Sequence, residues 1–150
     1  MVLDDRLVDA VEIVWEQTPT YQGTVVRQAP DELRVIRNYF TRRFWSSLPS
    51  IARSASGQSD SGVNGSGFRF GQELDPGEEP FEGVELYDPL DQIYISRPAF
   101  NRLMLRFFEM IIRGATEHGH PLLQELRWPE FLAHAETLRG IVAGSNSDSF

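Results

Sequence analysis

Residues 83–115 read GVELYDPLDQIYISRPAFNRLMLRFFEMIIRGA, and the change of period inside this stretch decides the fold. Val84–Tyr87 and Gln92–Ile95 alternate in the manner of two strands, and Asp88-Pro89-Leu90-Asp91 between them is turn chemistry, which predicts a β-hairpin. Ser96 then suits a helix N-cap and Pro98 its first turn. Phe100, Leu103, Met104, Phe107, Met110 and Ile111 follow at helical spacing, with Arg102, Arg106, Glu109 and Arg113 as the only polar stripe. A helix this apolar must lie across a sheet or between layers, and it is expected to end between Gly114 and Gly119.

Downstream, a second helix is predicted over roughly 129–142, with Phe131, Leu138 and Val142 on one face. The tail from 144 to 150 is expected to be disordered. Upstream, Leu7–Trp15 (LVDAVEIVW) favours an opening strand, with a helical start as the alternative, TPTYQGT a turn, and Val25-Val26 a short second strand. Pro30, Asp31 and Glu32 open a helix whose apolar face is Leu33, Ile36, Phe40 and Phe44. Residues 46–67 (SSLPSIARSASGQSDSGVNGSG) carry few apolar side chains and are expected to form a flexible Ser/Gly-rich loop. Beyond them FRFGQEL reads as a strand. The fold class is therefore α+β, a single domain over 1–150, with a mostly antiparallel sheet of four or five strands and about three helices mainly on one face.

Composition bounds the function. The 150 residues are 41% hydrophobic, which suffices for one core and not for two ordinary domains. Cysteine is absent, which excludes disulfides and thiolate metal sites and suits a reducing compartment. Acidic residues stand at the start where a secretory leader needs basic ones, and no apolar run reaches membrane-span length, so a cytoplasmic location is expected. All 14 basic residues are arginine, and the formal net charge is -8. An acidic surface repels nucleic acid and anionic membranes and favours a basic protein partner.

Catalytic constellations are sparse. His118, His120 and His134 with Glu117 are the one set that bears on a metal site, but an H-x-H pair at a helix end is more often a polar turn, and no metal or other cofactor is expected. There is no G-x-S-x-G, and Gly57, Gly62, Gly65 and Gly67 do not take a phosphate-loop spacing. The informative feature is the run from Glu73 to Asp91, which holds eight acids and no arginine. Its members Asp75, Glu78, Glu79, Glu82, Glu85, Asp88 and Asp91, with Tyr87, are the expected partner-binding residues. Phe81 and Tyr94 interleave or border them, as aromatic anchors do within a polar interface rim. For Tyr87 and Tyr94, inward packing is an equal alternative. Arg34, Arg37, Arg42 and Arg43 gather on the first helix, either as a solvated face pairing with local acids or as a second, basic contact.

The run 83–115, followed by LLQELRWPEFLAHAETL at 122–138, resembles the C-terminal half of small bacterial immunity proteins that neutralise contact-dependent or other polymorphic toxins. The likeness lies in the acidic hairpin, the arginine-dotted helix and the W-P-x-F helix. It implies a non-catalytic cytoplasmic protein that binds a cognate toxin domain, such as a nuclease, and occludes its active site, acidic side chains standing in for phosphates. A secretion chaperone using apolar helix faces and a small metal-dependent hydrolase built on the histidines are the competing classes.

Overall fold

The computed structural model describes residues 1–41, 45–71 and 74–147, without the side chains of 145–147. In chain order the elements are β1 (Val2–Leu3), α1 (Asp5–Asp9), β2 (Glu12–Gln17), β3 (Gln22–Gln28), a 3-10 turn (Asp31–Leu33), α2 (Arg34–Phe40), α3 (Leu48–Ser56), β4 (Ser61–Val63), β5 (Ser66–Arg69), β6 (Val84–Tyr87), β7 (Gln92–Ile95), α4 (Arg97–His118), a second 3-10 turn (Pro121–Gln124) and α5 (Trp128–Ser147). Five strands form one mixed sheet in the order β1-β7-β6-β5-β4, and β2 and β3 form a separate antiparallel pair. Among the described residues only β1 pairs in parallel, matching Val2 to Tyr94 and Leu3 to Ile95. The α+β class and the largely antiparallel main sheet agree with the sequence reading.

α4 is the axis of the molecule. Ser96 caps it by accepting the Ala99 N–H at 3.1 Å, and Gly119 ends it in the left-handed region at φ 58°, where a glycine carries no Cβ penalty. Phe100 meets Phe68 of the sheet at 4.9 Å between ring centroids, Phe107 meets Phe40 of α2 at 4.8 Å, and Phe108 meets Phe131 of α5 at 5.4 Å. One turn before its end, Gly114 faces the Trp15 ring of β2 so closely that a Cβ would overlap the indole. At the other side Arg102 grips Asp9 of α1 through two hydrogen bonds of 3.0 Å, and Arg106 donates to the Val8 carbonyl at 3.0 Å.

Several expectations are corrected. The opening run is a strand only from Glu12 onward. Asp4 accepts the Arg6 N–H at 2.8 Å and so starts a short helix, which turns Val8 into the core. The helix after Pro30 starts as a 3-10 turn and stops at Phe40, because Thr41 is already extended; Phe44, Arg42 and Arg43 lie outside the described residues. The supposed flexible loop at 46–67 is mostly ordered structure. Leu48, Ile51, Ala52 and Ala55 make one buried face of α3, packed chiefly on α5, and Asn64-Gly65, both at positive φ, turn the β4–β5 hairpin. The expected disordered tail is helical as far as Ser147, since α5 continues five residues beyond Val142, and 148–150 lie outside the described residues. Among the described residues, five α-helices therefore stand where about three were expected.

Candidate functional site

Strand alternation sorts the middle of the sheet into two faces. Phe68, Leu86 and Ile93 align across β5, β6 and β7 on the side of α4, whereas Arg69, Glu85, Tyr94 and Val2 align in one row on the other side. A second outward row holds Gly67, Tyr87 and Gln92.

The connection from β5 to β6 folds back over this outer face. Glu78 meets Arg69 in a fork, with Oε2 at 2.9 Å from Nη1 and Oε1 at 3.0 Å from Nη2, and it also accepts the Asp75 N–H at 2.9 Å. The Arg69 contact first, and the backbone donor second, hold the Glu78 carboxyl down at about 2. Phe81 lies 5.4 Å from the Tyr94 ring and 5.9 Å from the Arg69 guanidinium. Beneath these, Glu85 is only 7% exposed although it sits on the outward side. Its Oε2 accepts the Tyr94 hydroxyl at 3.0 Å, and its Oε1 is 3.7 Å from Arg69. Burial, and then the bond to Glu85, push the Tyr94 phenol upward.

The result is a cleft of 590 Å³ whose wall includes Glu79, Glu82, Glu85, Phe81, Tyr94 and Gln92. Glu79 and Glu82 are exposed on its rim, and no described residue forms an ion pair with either. Asp75, Tyr87 and Asp88 line an adjoining concavity across Arg69 and Glu85. Tyr87 is half-buried on the outer face, over Gly62 and Gly67, where a Cβ would come within 2.9 and 2.8 Å of its hydroxyl. Neither Tyr87 nor Tyr94 packs into the main core.

Not every expected residue belongs to this face. Asp88 organises the hairpin turn: one oxygen accepts the N–H groups of Leu90 and Asp91 at 2.8 and 2.9 Å, and the other accepts the Asn38 amide at 3.1 Å. Burial raises its carboxyl, but these donors together outweigh it and the net shift is downward. Asp91 is held by Arg34 of α2 at 3.0 Å. Glu73 lies outside the described residues. The stretch is therefore not a bare one-sign patch: Glu78, Glu85 and Asp91 have arginine neighbours. Arg69, at the centre of the arrangement, was missed by reading charge along the chain; its place between Phe68 and Phe70 in an alternating strand is the signal for it.

Where they are described, the arginines of the first helix pair with acids, Arg37 with the local Asp31 at 3.5 Å and Arg34 with the sequence-distant Asp91. His134 is 3.7 Å from Glu130, His118 is exposed on the last turn of α4, and His120 packs with Trp15 and Trp45. Among the described residues no three His, Asp or Glu side chains are grouped to hold a metal ion, and no helix is long and apolar enough to cross a membrane. No family model, curated protein or solved structure matches this chain.

Proposed function

We propose that the protein is a non-catalytic binding module of the immunity-protein kind, which takes a basic protein, a cognate toxin domain, against the outer face of its sheet. The observation that carries this reading is the cleft itself: Glu79 and Glu82 stand unpaired and exposed around an aromatic wall of Phe81 and Tyr94 that is already fixed in place. Carboxylates around aromatic surface suit the guanidinium and ammonium groups of a partner, which would otherwise hold phosphate. The net charge of -8 adds long-range attraction for such a partner and repels nucleic acid. Occlusion needs no chemistry from this chain.

The test is to search the neighbouring genes for a toxin domain and to measure its binding by stopped flow at two ionic strengths; neighbours that encode no such domain remove the toxin from the reading. Glu79→Gln with Glu82→Gln is expected to slow association by roughly tenfold at low salt and to flatten the salt response. Tyr94→Ala is expected to act on dissociation instead, at about 2 kcal/mol. Unchanged rates in both variants remove the outer face from the interface.

A second reading has one observation in its favour. Leu126 is 94% exposed beside a cleft of 570 Å³ walled by Trp45, Leu48, Leu122, Trp128 and Phe131, which suits a chaperone for an apolar segment. Leu126→Glu, with the acidic rim intact, separates the two: it leaves binding of the toxin domain unchanged on the first reading and abolishes client binding on the second.

A further inference from the structure

Two tryptophans distant in sequence stack on each other, Trp15 and Trp45, with centroids 6.0 Å apart and planes 14° from parallel. His120 stands edge to face against both, 5.4 Å from Trp15 and 5.9 Å from Trp45. Its backbone N–H donates to Ala115 at 2.9 Å, which ties it to the end of α4. Its Nδ1 accepts the N–H of Leu122 at 3.1 Å and thereby caps the 3-10 turn Pro121–Gln124, which leads toward α5. An imidazole nitrogen that accepts a backbone N–H carries no proton, so this geometry exists only with a neutral ring.

We propose that His120 is a proton-operated latch, in which protonation of Nδ1 breaks the cap on the 3-10 turn, unseats the ring from the tryptophan pair and opens the apolar cleft beside it. The proton comes from solvent, and it replaces an acceptor by a donor that faces the Leu122 N–H. Leu122 is 4% exposed and shares with Trp45 and Trp128 the wall of the 570 Å³ cleft, so the turn cannot loosen without exposing apolar surface there.

Burial alone lowers the His120 pKa from the ordinary 6.5. Among the described residues, the charged or titratable side chains nearest in sequence to the ring and its contacts are Glu16 beside Trp15, Glu117 and His118 on the last turn of α4, and Glu125 after the 3-10 turn; all are exposed, and none contributes to that lowering. A folded value below the unfolded one means that the unfolded chain takes the proton first. The latch therefore gives full stability above about pH 6.5 and loses it as pH falls from there through the folded pKa. Over that window the folded-to-unfolded ratio drops by up to about tenfold per pH unit.

The experiment uses the full chain between pH 8 and 5, following tryptophan emission, binding of an apolar fluorescent dye, and denaturant unfolding. Wild type is expected to show reversible red-shifted emission and dye binding on acidification, with the midpoint of unfolding falling below pH 6.5. His120→Asn keeps a side-chain oxygen able to cap Leu122 and cannot titrate, so it should remove the response. His118→Asn and His134→Asn should retain it. Ring resonances of the wild type, assigned through these variants, give a readout that does not depend on whether His120→Asn folds. A His120 ring that titrates at or above the ordinary value, or a pH response that survives in His120→Asn, overturns the proposal.

Discussion

The two faces of the main sheet come from the same residues taken alternately, yet they are held by different physics. On the inner face Phe68, Leu86 and Ile93 are almost unexposed and carry no charge, and Phe68 packs on Phe100 of α4. On the outer face Arg69, Glu78, Glu85, Phe81 and Tyr94 make a hydrogen-bonded and stacked layer beneath a connection whose described residues form no regular element. The inner face is stabilised by removal of apolar surface from water, which is large and insensitive to pH. The outer face depends on satisfying polar groups taken partly out of water, which contributes less and responds to pH and salt. The stabilising face and the face proposed for recognition are thus separated by one residue of register.

The largest effect that tests this separation is on the inner side. Phe68 is fully buried against Tyr39, Phe70 and Phe100, so Phe68→Ala should cost about 3–5 kcal/mol in denaturant unfolding. A cost below about 1 kcal/mol would mean that the inner face does not carry the core. Gly114→Ala should destabilise by roughly 1–3 kcal/mol although alanine is the better helix former, because the added methyl must displace the Trp15 ring. A stabilised variant would show that Trp15 can move aside without loss.

On the outer side, Arg69→Gln should lower stability at neutral pH and change its acid dependence. Glu78 has its carboxyl held at about 2 against an ordinary 4.5, so it contributes stability above 4.5 that is lost as pH falls toward 2. Without Arg69 the slope between those pH values should flatten, as measured by unfolding midpoints. The smallest effect belongs to the rim: Glu79→Gln with Glu82→Gln should change stability by less than about 0.5 kcal/mol while altering association with a basic partner. A large stability change there would join the two faces into one structural unit.

The parts legible in the sequence are those where period and caps agree. Ser96, the apolar stripe from Phe100 to Ile111 and Gly119 bound α4, and the alternation on either side of Asp88-Pro89 places both hairpin strands at their observed ends. Residues 46–67 were hidden because the buried face of α3 relies on Ala52 and Ala55, which give little hydropathy, and because glycines in β4 and β5 make room for Tyr87 instead of contributing side chains. At the candidate site the acids themselves were visible, and the separation of Asp88 and Asp91 from the cleft was not. Their partners, Asn38 and Arg34, lie 50 and 57 residues away, and a charge count along the chain carries no such information.

The parallel pairing of β1 with β7 sets an order of events during synthesis. β2 and β3 follow one another closely and can zip together as soon as both have left the ribosome, whereas Val2 has its partner at Tyr94. At ordinary elongation rates that delay is on the order of 5–20 s. Throughout it the segment around β1 and α1 remains without its partner strand β7 and without the Arg102 grip on Asp9. β1 is made long before the strand that pairs with it, and a chaperone or protease acting on the nascent chain meets it unpaired during that interval.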